Sequence, residues 1–433
     1  MRKLEDVVIH MKSMEHQTYD ITKTQNVKVL FGETEIKVLP RCPYDAIVYQ
    51  FLDVVSKAIL EDSEARRYPD IVTFGFWIRK ANIIRLAEQH EAKYQQQGKG
   101  LVFHIAPSNV PINFAYTLVF GLLSGNSNIV RVSSKAFIQY EIICRIIDTI
   151  TNIEQFSWVR KTNAIIGYDY DDQRATDYFS SICDTRIIWG GDSTIDSIRK
   201  SSIPPRTTEI TFADRYSLAI LSLDEVGKMT DDDLKRLVSD FYNDTYLMDQ
   251  NACSSPHLVC WCPSSMVLFE SKKDLDFFWD RDDIKDIQDR FWAALHEVAK
   301  KYDFEDIKAS EKYTILCESA IVQDVSKIKM YDNILFTVYL KSLPKDITVL
   351  RGKFGLFYNF NFDSMEQLIK QLNSKKIQTI ATVGIDKNKM SDYIFNYGIV
   401  GVDRIVSVGK TLDIDAFWDG YDVISALVRN IVI

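Results

Sequence analysis

LVFHIAPSNVPINFAYTLVFGLLSGNSNIVRVSS, residues 101–134, places three predicted elements in a row within a chain of 433 residues. The short apolar run at 101–107 predicts a buried strand. The almost wholly apolar segment at 113–125 predicts a helix that ends at glycine, and the β-branched run at 128–133 predicts a second strand. A strand, a crossover helix and another strand are typical of a parallel sheet that is covered on both faces.

The alternation of strands and helices continues beyond this stretch. For the first sheet, further helices are predicted at 135–150, 171–182 and 193–200, and further strands at 163–167, 185–189 and 216–222. A second α/β pattern starts near residue 225. Its predicted helices lie near 231–247, 271–301, 363–373 and 415–429, and its predicted strands at 257–261, 313–318, 334–340, 355–360 and 377–384. The polar first hundred residues show helical periodicity at 44–60 and 76–95 and a predicted loop at 95–100.

The composition, with 46% hydrophobic and 26% charged residues, is that of an ordinary globular protein. A net charge of −8 argues against a general nucleic-acid binder, which needs a basic face. No apolar stretch approaches the roughly 18 residues of a membrane span, and the first residues do not resemble a secretory signal. The seven cysteines are scattered without CxxC pairs, which is typical of reduced thiols. We therefore expect a cytoplasmic protein with no membrane span and no nucleic-acid partner.

Several familiar ligand motifs are missing from the sequence. There is no GxGxxG turn, and the sequence VGKT at 408–411 has Arg404 where a phosphate-binding loop requires glycine. The histidines and cysteines show no metal-ligand spacing, so no metal is expected. His104 and His257 flank the segments of interest, and both are expected to be packed or hydrogen-bonded residues.

The segment MDQNACSSPHLVCW, residues 248–261, contains the most suggestive cysteine, Cys253. A lone cysteine is usually a small buried residue, but the polar residues around this one place its backbone in a loop or at a helix start. At a helix start the thiol would ionise more readily than a free cysteine. The polar turn at 106–113 offers an asparagine amide, a group that can stabilise a developing oxyanion.

Six segments carry a family resemblance. They are HIAPSNVP, GNSNIVRVSSK, IIWGGDSTI, MDQNACSSPHLVCW, QTIATVG and GVDRIVSVGKTLDIDAFWDGYD. From about residue 100 to the C-terminus the chain resembles the LuxC-type fatty-acyl-CoA reductases of the aldehyde dehydrogenase superfamily. The resemblance implies an α/β, aldehyde-dehydrogenase-like fold with two doubly wound domains, one for the cofactor and one catalytic, and a small oligomerisation element. Such a fold binds a nicotinamide nucleotide without GxGxxG.

The same resemblance implies a division of the chain. Residues 1–225 form the N-terminal region and the cofactor-binding domain, and residues 226–400 form the catalytic domain with the nucleophilic cysteine. Residues 401–433 form a C-terminal segment that packs on the cofactor domain or lies at an oligomer interface.

For the catalytic residues, the resemblance makes Cys253 the nucleophile. Asn109 becomes the side-chain oxyanion donor, and the Cys253 backbone N–H becomes the second donor. Water-using aldehyde dehydrogenases carry a glutamate base that aligns here with Thr211, with Glu209 two residues away. If the alignment is shifted by two residues, Glu209 takes the role of the base. A reductase does not need that base, because activated water would hydrolyse the acyl-enzyme.

For the cofactor, the resemblance implies binding by Pro107, Ser108, Arg131, Ser134, Gly190, Gly191 and Phe354. A small hydroxyl at Ser134, with Arg131 and Lys135 nearby, favours the 2′-phosphate of NADPH over NADH. A solvated basic helix start is the alternative interpretation. The family's acidic residue two places before Phe354 is Gly352 here, which puts ribose binding at that position in doubt.

The predicted function is reduction of an acyl-CoA or other acyl thioester to an aldehyde, through an acyl-cysteine and hydride from NADPH, with CoA as the leaving group. An acyl-activating partner protein is a possible donor, and a homo-oligomer is expected from the resemblance. Three alternatives stay open: a CoA-independent aldehyde dehydrogenase, a cofactor-independent acyltransferase or thioesterase that uses the same cysteine, and a non-catalytic scaffold.

Overall fold

The structure is a computed structural model that describes residues 16–24, 26–90, 92–264, 279 and 281–433. The strands are β1 Thr18–Asp20, β2 Lys28–Phe31, β3 Glu35–Lys37, β4 Gln95–Gly98, β5 Leu101–Ile105, β6 Ser127–Val132, β7 Asn163–Gly167, β8 Thr185–Trp189, β9 Thr208–Phe212, β10 Tyr216–Ser222, β11 Pro256–Cys262, β12 Val325–Tyr331, β13 Leu335–Leu340, β14 Leu356–Asn361, β15 Ile377–Val383, β16 Arg404–Ser407, β17 Phe417–Trp418, β18 Tyr421–Asp422 and β19 Val428–Ile431.

The helices of the described residues alternate with these strands. They are α1 Ala46–Glu61, α2 Pro69–Trp77, α3 Lys80–Gln89, α4 Asn113–Leu123, α5 Ile138–Thr151, α6 Ser157–Thr162, α7 Gln173–Ile182, α8 Asp192–Ile198, α9 Leu223–Lys228, α10 Asp231–Thr245, α11 Asp282–Ala299, α12 Asp306–Val322, α13 Ile369–Leu372, α14 Lys387–Asn396 and α15 Val423–Leu427. None of them is both long enough and apolar enough to cross a membrane.

The chain divides into two compact units. The first runs to Ala213 and includes Tyr421–Ile433, and the second is Asp214–Gly420. Both are mixed α/β, and the predicted fold class is confirmed. The assignment of cofactor and catalytic roles to the predicted ranges, and the oligomerisation element, stay predictions.

The sheet of the first unit has the strand order β2-β7-β6-β5-β8-β9, in which β2 is antiparallel to β7 and the other pairs are parallel. In chain order its parallel strands are therefore the third, second, first, fourth and fifth. The order reverses between β5 and β8. Open α/β sheets bind ligands at this reversal, outside the carboxyl ends of the strands.

The apolar helix α4 anchors the core of the first unit. All its residues are buried, as its almost unbroken apolar sequence predicts. The helix ends before Gly125, whose φ of 79° is left-handed and whose close neighbour is the Arg41 carbonyl, 2.3 Å from where a Cβ would lie. Glycine is therefore required at this turn, which leads the chain directly into β6.

The sheet of the second unit has the order β12-β13-β14-β11-β10-β15-β16, in which only the β12–β13 pair is antiparallel among the described strands. In β11, Cys260 and Cys262 pack in the core on one face of the sheet and Trp261 packs on the other. The side chains of the sequence CWC thus alternate between the two faces of the sheet, as they do in any strand. Because β10, β11 and β14 are parallel, the segments that lead into them lie at one edge, the amino edge of the sheet.

Two predictions about strands are wrong. The strand at 216–222 was assigned to the first sheet, but β10 pairs with β11 and β15 in the second, because a continuous apolar run predicts a buried strand without specifying its neighbours. Residues 313–318, predicted as a strand, lie in helix α12. Their β-branched and aromatic side chains suggested a strand, but Lys312, Leu316 and Ser319 are buried at helical spacing.

Several other element predictions also need correction. Of the helix predicted at 415–429, only α15 is helical, because Asp419 and Gly420 turn the chain with positive φ angles of 49° and 76°. Of the helix predicted at 363–373, only a 3₁₀ turn, Met365–Gln367, and the short helix α13 are observed. Part of the helix predicted at 271–301 lies outside the described residues, and α11 covers the rest. The predicted loop at 95–100 contains β4, which pairs with β19.

Candidate active site

Cys253 lies in a loop between a 3₁₀ turn, Tyr246–Met248, and strand β11. The predicted loop is confirmed and the alternative, a helix start, is wrong. Asp249 and Gln250 both have left-handed backbones, with φ of 53° and 57°. A left-handed conformation is uncommon outside glycine and persists where the surroundings hold it in place.

The backbone around Cys253 is fixed on both sides. The Ser217 hydroxyl donates to the Cys253 carbonyl over 2.7 Å, and the Ser255 N–H donates to the Ala252 carbonyl over 2.9 Å. Because a trans peptide points its N–H away from its carbonyl, the Cys253 N–H points away from that turn. Within the described part of the chain no acceptor binds this N–H. It is therefore free to donate to a ligand.

The Cys253 thiol is half-buried. Burial is the largest influence and raises the pKa of the thiol above its ordinary value. A hydrogen bond from the Arg215 backbone lowers this pKa, the carboxylates of Asp214 and Asp419 raise it, and the positive charge of Arg351 lowers it. The net direction is upward. The expectation of an easily ionised thiol was tied to a helix start and is wrong, and at neutral pH the free protein holds Cys253 mainly as the thiol.

Carboxylates already pair with the two arginines near Cys253. Arg351 donates to Asp214 Oδ2 and to the Arg215 carbonyl, each over 2.9 Å. Arg215 forms an ion pair with Asp403. Because these positive charges are largely neutralised by their partners, they do little to stabilise a thiolate.

Both histidines singled out in the sequence are buried and hydrogen-bonded, as predicted. His104 bridges Thr117 Oγ1 and Asn128 Oδ1 at 2.8 and 2.9 Å, and burial lowers its pKa to about 4. His257 Nδ1 lies 2.9 Å from the Gly352 carbonyl, and burial lowers its pKa to about 3. Since a carbonyl only accepts, Nδ1 of the neutral His257 ring carries the proton.

The loop before β14 contains Phe354, which is 7% exposed and has a left-handed backbone with φ of 53°. Its carbonyl accepts a 2.8 Å hydrogen bond from Lys312, a fully buried lysine whose pKa burial lowers to about 7. At Gly352 a Cβ would lie 1.8 Å from the Leu356 carbonyl oxygen. The loop therefore excludes an acidic side chain at this position, which accounts for the departure from the family pattern.

Apart from Arg131, the residues predicted to bind the cofactor in the first unit follow strands of one sheet, as does the predicted oxyanion donor Asn109. Pro107, Ser108 and Asn109 follow β5, Ser134 follows β6, and Gly190–Gly191 follow β8. These strands are parallel neighbours, so their carboxyl ends share one edge, at the reversal of strand order. Ser108, Asn109 and Ser134 are exposed there.

Arg131, at the end of β6, is buried rather than extended into solvent. Its Nη2 donates to the Tyr168 carbonyl over 3.1 Å, and its guanidinium lies over the Tyr168 ring. Its Nε is buried and has no hydrogen-bond partner among the described residues. One donor is thus left over beside the edge where the adenosine half of the cofactor is predicted.

The two glycines after β8 differ in their surroundings. A Cβ on Gly191 would meet nothing within 4 Å, whereas one on Gly190 would lie 3.1 Å from Thr194. The lack of a side chain at Gly191 therefore serves no packing within the chain and leaves its backbone open. With the sheet reversal and the unpaired Arg131 Nε, this open backbone fits a dinucleotide at the carboxyl edge.

Glu209 in β9 is held in ion pairs. Arg186 donates to its Oε2 over 2.9 Å and Arg199 to its Oε1 over 2.8 Å, and the Arg186 side chain is only 2% exposed. Burial alone would raise the pKa of Glu209, but the hydrogen bonds from Arg199 and Arg186 lower it overall. A carboxylate occupied in this way is a poor proton acceptor. Thr211, its neighbour on the same strand, does not ionise in this range.

The segment VGKT at 408–411 has a structural role. Asp244 on α10 accepts the backbone N–H groups of Gly409 and Thr411 at 2.6 and 3.0 Å. These amides are the groups that a phosphate loop would direct at its ligand. They are already used, in agreement with the exclusion of a phosphate-binding loop from the sequence.

Sequence reasoning missed three buried residues that hold the two loops: Ser217, Gln250 and Lys312. Gln250 stands within the quoted cysteine segment, but a single glutamine gives no sign of its partners. Lys312 was overlooked because the residues after it were predicted as a strand. The described residues contain no cluster of three or more histidine, cysteine or acidic side chains suited to a metal.

The fold is aldehyde-dehydrogenase-like. The lactaldehyde dehydrogenase of Escherichia coli superposes with a TM-score of 0.58 at 13% identity, covering 90% of this chain and 84% of that one. The salicylaldehyde dehydrogenase of Pseudomonas putida G7 gives a TM-score of 0.58 at 14% identity, covering 88% and 84%. At these identities the likeness concerns the fold alone.

A family match narrows the resemblance further. Residues 78–272 match the family Acyl-CoA reductase (LuxC). The long-chain acyl-protein thioester reductase of Aliivibrio fischeri is 27% identical over 184 residues, or 42% of this chain. The match spans about a third of that relative, 36% of its length. The predicted resemblance to LuxC-type reductases is confirmed.

Proposed function

We propose that this protein is an acyl-thioester reductase that transfers an acyl group to Cys253 and releases it as an aldehyde at the expense of NADPH. The main support is the loop of Cys253. There a half-buried thiol stands beside a backbone N–H that no described residue uses, on a backbone fixed by Ser217 and Ser255. A nucleophile next to a free N–H donor is the arrangement that acyl transfer requires.

In the proposed first step, the Cys253 thiolate attacks the carbonyl carbon of the thioester. A C–S bond forms while the carbonyl electron pair moves to oxygen, and the Cys253 N–H and the Asn109 amide donate to this oxyanion. The electron pair then returns and expels the CoA thiolate, which leaves the acyl group on Cys253 Sγ. The raised pKa of the thiol means that this step accelerates as the pH rises.

A bound NADPH supplies the hydride that makes the acyl carbonyl an aldehyde. The same two donors stabilise the oxyanion of the resulting hemithioacetal, and rupture of the C–Sγ bond releases aldehyde and regenerates the thiolate. Pro107, Ser108, Arg131, Ser134, Gly190, Gly191 and Phe354 are proposed to hold the cofactor. The open backbone at Gly191 and the spare donor on Arg131 support this assignment.

The pairing of Glu209 with two arginines supports reduction over hydrolysis. Because Arg186 and Arg199 occupy this carboxylate, it is not available to activate water against the acyl-enzyme. An acyl group on Cys253 therefore survives until it is reduced.

The proposed donor is an acyl-CoA, and an acylated partner protein is the alternative, since one relative is named for acyl-protein thioesters. The cytoplasmic location and the homo-oligomer stay predictions.

Intact-mass analysis tests the proposal. The full chain is incubated with a panel of acyl-CoAs of increasing length, first without and then with NADPH. We expect one acyl adduct on Cys253 that disappears on addition of NADPH as aldehyde forms. A chain that no acyl-CoA modifies would overturn the proposal.

The same assay separates the alternatives. Loss of the adduct as free acid without any nucleotide would indicate a thioesterase, and transfer to an added thiol would indicate an acyltransferase. Oxidation of aldehydes by NAD without CoA would indicate an ordinary aldehyde dehydrogenase.

A further inference from the structure

We propose that Gln250 is a positioning residue that ties the loop of Cys253 to the loop of Phe354 and thereby controls the reduction of the acyl group. This inference rests on the proposed function. It adds a residue that neither the family resemblance nor the sequence singled out.

Gln250 lies three residues before Cys253, and its side chain reaches the entry to β14. Its Oε1 accepts the Gly355 N–H over 2.8 Å, and its Nε2 lies 3.2 Å from the Leu356 carbonyl and 3.4 Å from that of Pro256. Only 1% of the residue is exposed. The side chain thus connects the starts of two parallel strands. They are β11, which follows Cys253, and β14, which follows Phe354.

One peptide group receives the strongest of these bonds. The Phe354 carbonyl and the Gly355 N–H belong to the same peptide plane, with Lys312 bound to the carbonyl at 2.8 Å and Gln250 bound to the N–H at 2.8 Å. The plane is therefore held at both ends. Its rotation would turn the Phe354 backbone, which has an uncommon left-handed φ of 53°.

The two loops depend on Gln250 to different degrees. The carbonyls of Ala252 and Cys253 are bound by Ser255 and Ser217, so the nucleophile keeps its backbone contacts without Gln250. The Gly355 N–H has Gln250 as its partner. Loss of the side chain should therefore displace Phe354 and leave Cys253 in place.

A displacement of about 1 Å in a positioning group typically slows a reaction by about 10²-fold. We expect Gln250→Met to acylate Cys253 within about threefold of the wild-type rate and to discharge the acyl group to NADPH about 10²-fold more slowly. Hydrogen exchange of the peptide containing Gly355 should also be faster in this variant without any cofactor present.

The matched control is Gln288→Met. Gln288 is also buried, and its Nε2 donates to Asn361 Oδ1 over 2.8 Å at the other end of β14. This variant loses a comparable bond away from both loops. We expect its acylation, its discharge and the exchange of the Gly355 peptide to match the wild type.

Equal discharge rates in Gln250→Met and the wild type would overturn the inference, as would loss of acylation in a variant that is still folded. If Gln250→Met does not fold, the discharge rate of Gln250→Glu is measured in its place as a function of pH. A buried glutamate has a raised pKa. Its protonated form keeps an acceptor for the Gly355 N–H and a donor for the Leu356 carbonyl, whereas the carboxylate has no donor and repels that carbonyl. Its discharge rate relative to wild type should then recover as the pH falls, and a flat ratio would contradict the inference.

Failure of the proposed function has a different outcome. In that case the wild-type chain itself would carry no acyl adduct. A wild type that is acylated and discharged, beside a Gln250→Met variant that behaves identically, would overturn only the role of Gln250.

Discussion

The two sheets differ in the exposure of the residues at the edges that hold the candidate site. In the first unit Ser108, Asn109 and Ser134 are exposed at the carboxyl edge. In the second unit Gln250 and His257 at the amino edge are 1% and 3% exposed, and each is hydrogen-bonded to the loop of Phe354. Groups that would meet a diffusing ligand stay solvated, whereas the loop of Cys253, the proposed nucleophile, is held by buried hydrogen bonds. Substitutions at the exposed edge should therefore change rates without changing stability, and substitutions of buried groups should change stability.

The largest effect is expected at Cys253, the proposed nucleophile. Cys253→Ala should remove the acyl adduct and lower aldehyde formation by at least about 10³-fold, because no other group replaces the thiol. Cys317→Ala, which removes an exposed thiol on α12, is the control and should retain full activity. Mass spectrometry and aldehyde trapping measure both results. Appreciable aldehyde formation by Cys253→Ala would contradict the assignment of the nucleophile.

Asn109→Ala tests the exposed edge. Loss of an oxyanion donor should lower kcat by about 10²–10³-fold. Since Asn109 is exposed, the melting temperature should stay within about 1 °C of the wild-type value. Asn388→Ala, which removes an exposed amide on α14, is the control and should change kcat by less than about threefold. A large drop in melting temperature for Asn109→Ala would show that the two edges do not differ as described.

Glu209→Ala tests the interior of the first sheet. Removing this carboxylate leaves the buried Arg186 without its ion-pair partner, so the free energy of unfolding should fall by about 3 kcal/mol. The control is Glu64→Ala, which breaks a surface pair with Arg145 and should cost at most about 1 kcal/mol. Denaturant unfolding measures both. Unchanged stability with slower hydrolysis of the acyl-enzyme would instead make Glu209 the base that activates water.

Ser134→Glu tests the predicted preference for NADPH. A carboxylate at this exposed position should repel the 2′-phosphate and shift the ratio of kcat/KM for NADPH over NADH by about tenfold toward NADH. The free energy of unfolding of Ser134→Glu should equal that of the wild type. Steady-state kinetics with both nucleotides measures the shift, and an unchanged ratio would count against the placement of Ser134 beside the adenosine ribose.

His257→Gln tests the buried edge by its pH dependence. The folded protein lowers the pKa of His257 from 6.5 to about 3, so the neutral ring contributes stability above pH 6.5 that is lost as the pH falls toward 3. One such group accounts for up to about 1.4 kcal/mol per pH unit. Glutamine keeps a donor for the Gly352 carbonyl and does not titrate. The free energy of unfolding, measured from pH 7 to 4, should change less with pH in the variant than in the wild type. An equal dependence on pH in both proteins would contradict the lowered pKa of His257.

Much of the fold was predictable because its central strands are continuous apolar runs. The strands at 101–107, 128–133, 163–167 and 185–189 were found close to their observed limits for this reason. The pairing of 216–222 could not be deduced, since a fully buried strand looks the same in either sheet. Helix α12 was mistaken for a strand because most of its residues face outward and its apolar residues do not follow a clear helical stripe.

Candidate site residues could be proposed from the sequence only where the residue type itself suggests a chemical role, such as a thiol nucleophile or an amide donor. Cys253 and Asn109 were proposed from their segments, and their roles stay predictions. Gln250 and Lys312 were not, because their partners are backbone groups about a hundred and about forty residues away, brought close by parallel strand pairing. The ionisation state of Cys253 also depends on long-range neighbours such as Asp419 and Arg351.

Isotope transfer in a single turnover tests the central claim most directly. The acylated chain is freed of excess acyl-CoA and then mixed with NADPH that carries two deuterium atoms at C4 of the nicotinamide. We predict one equivalent of aldehyde with a single deuterium at C1 and the return of Cys253 to its unmodified mass. Release of free acid, or of aldehyde without deuterium, would contradict an acyl-cysteine reduced by hydride.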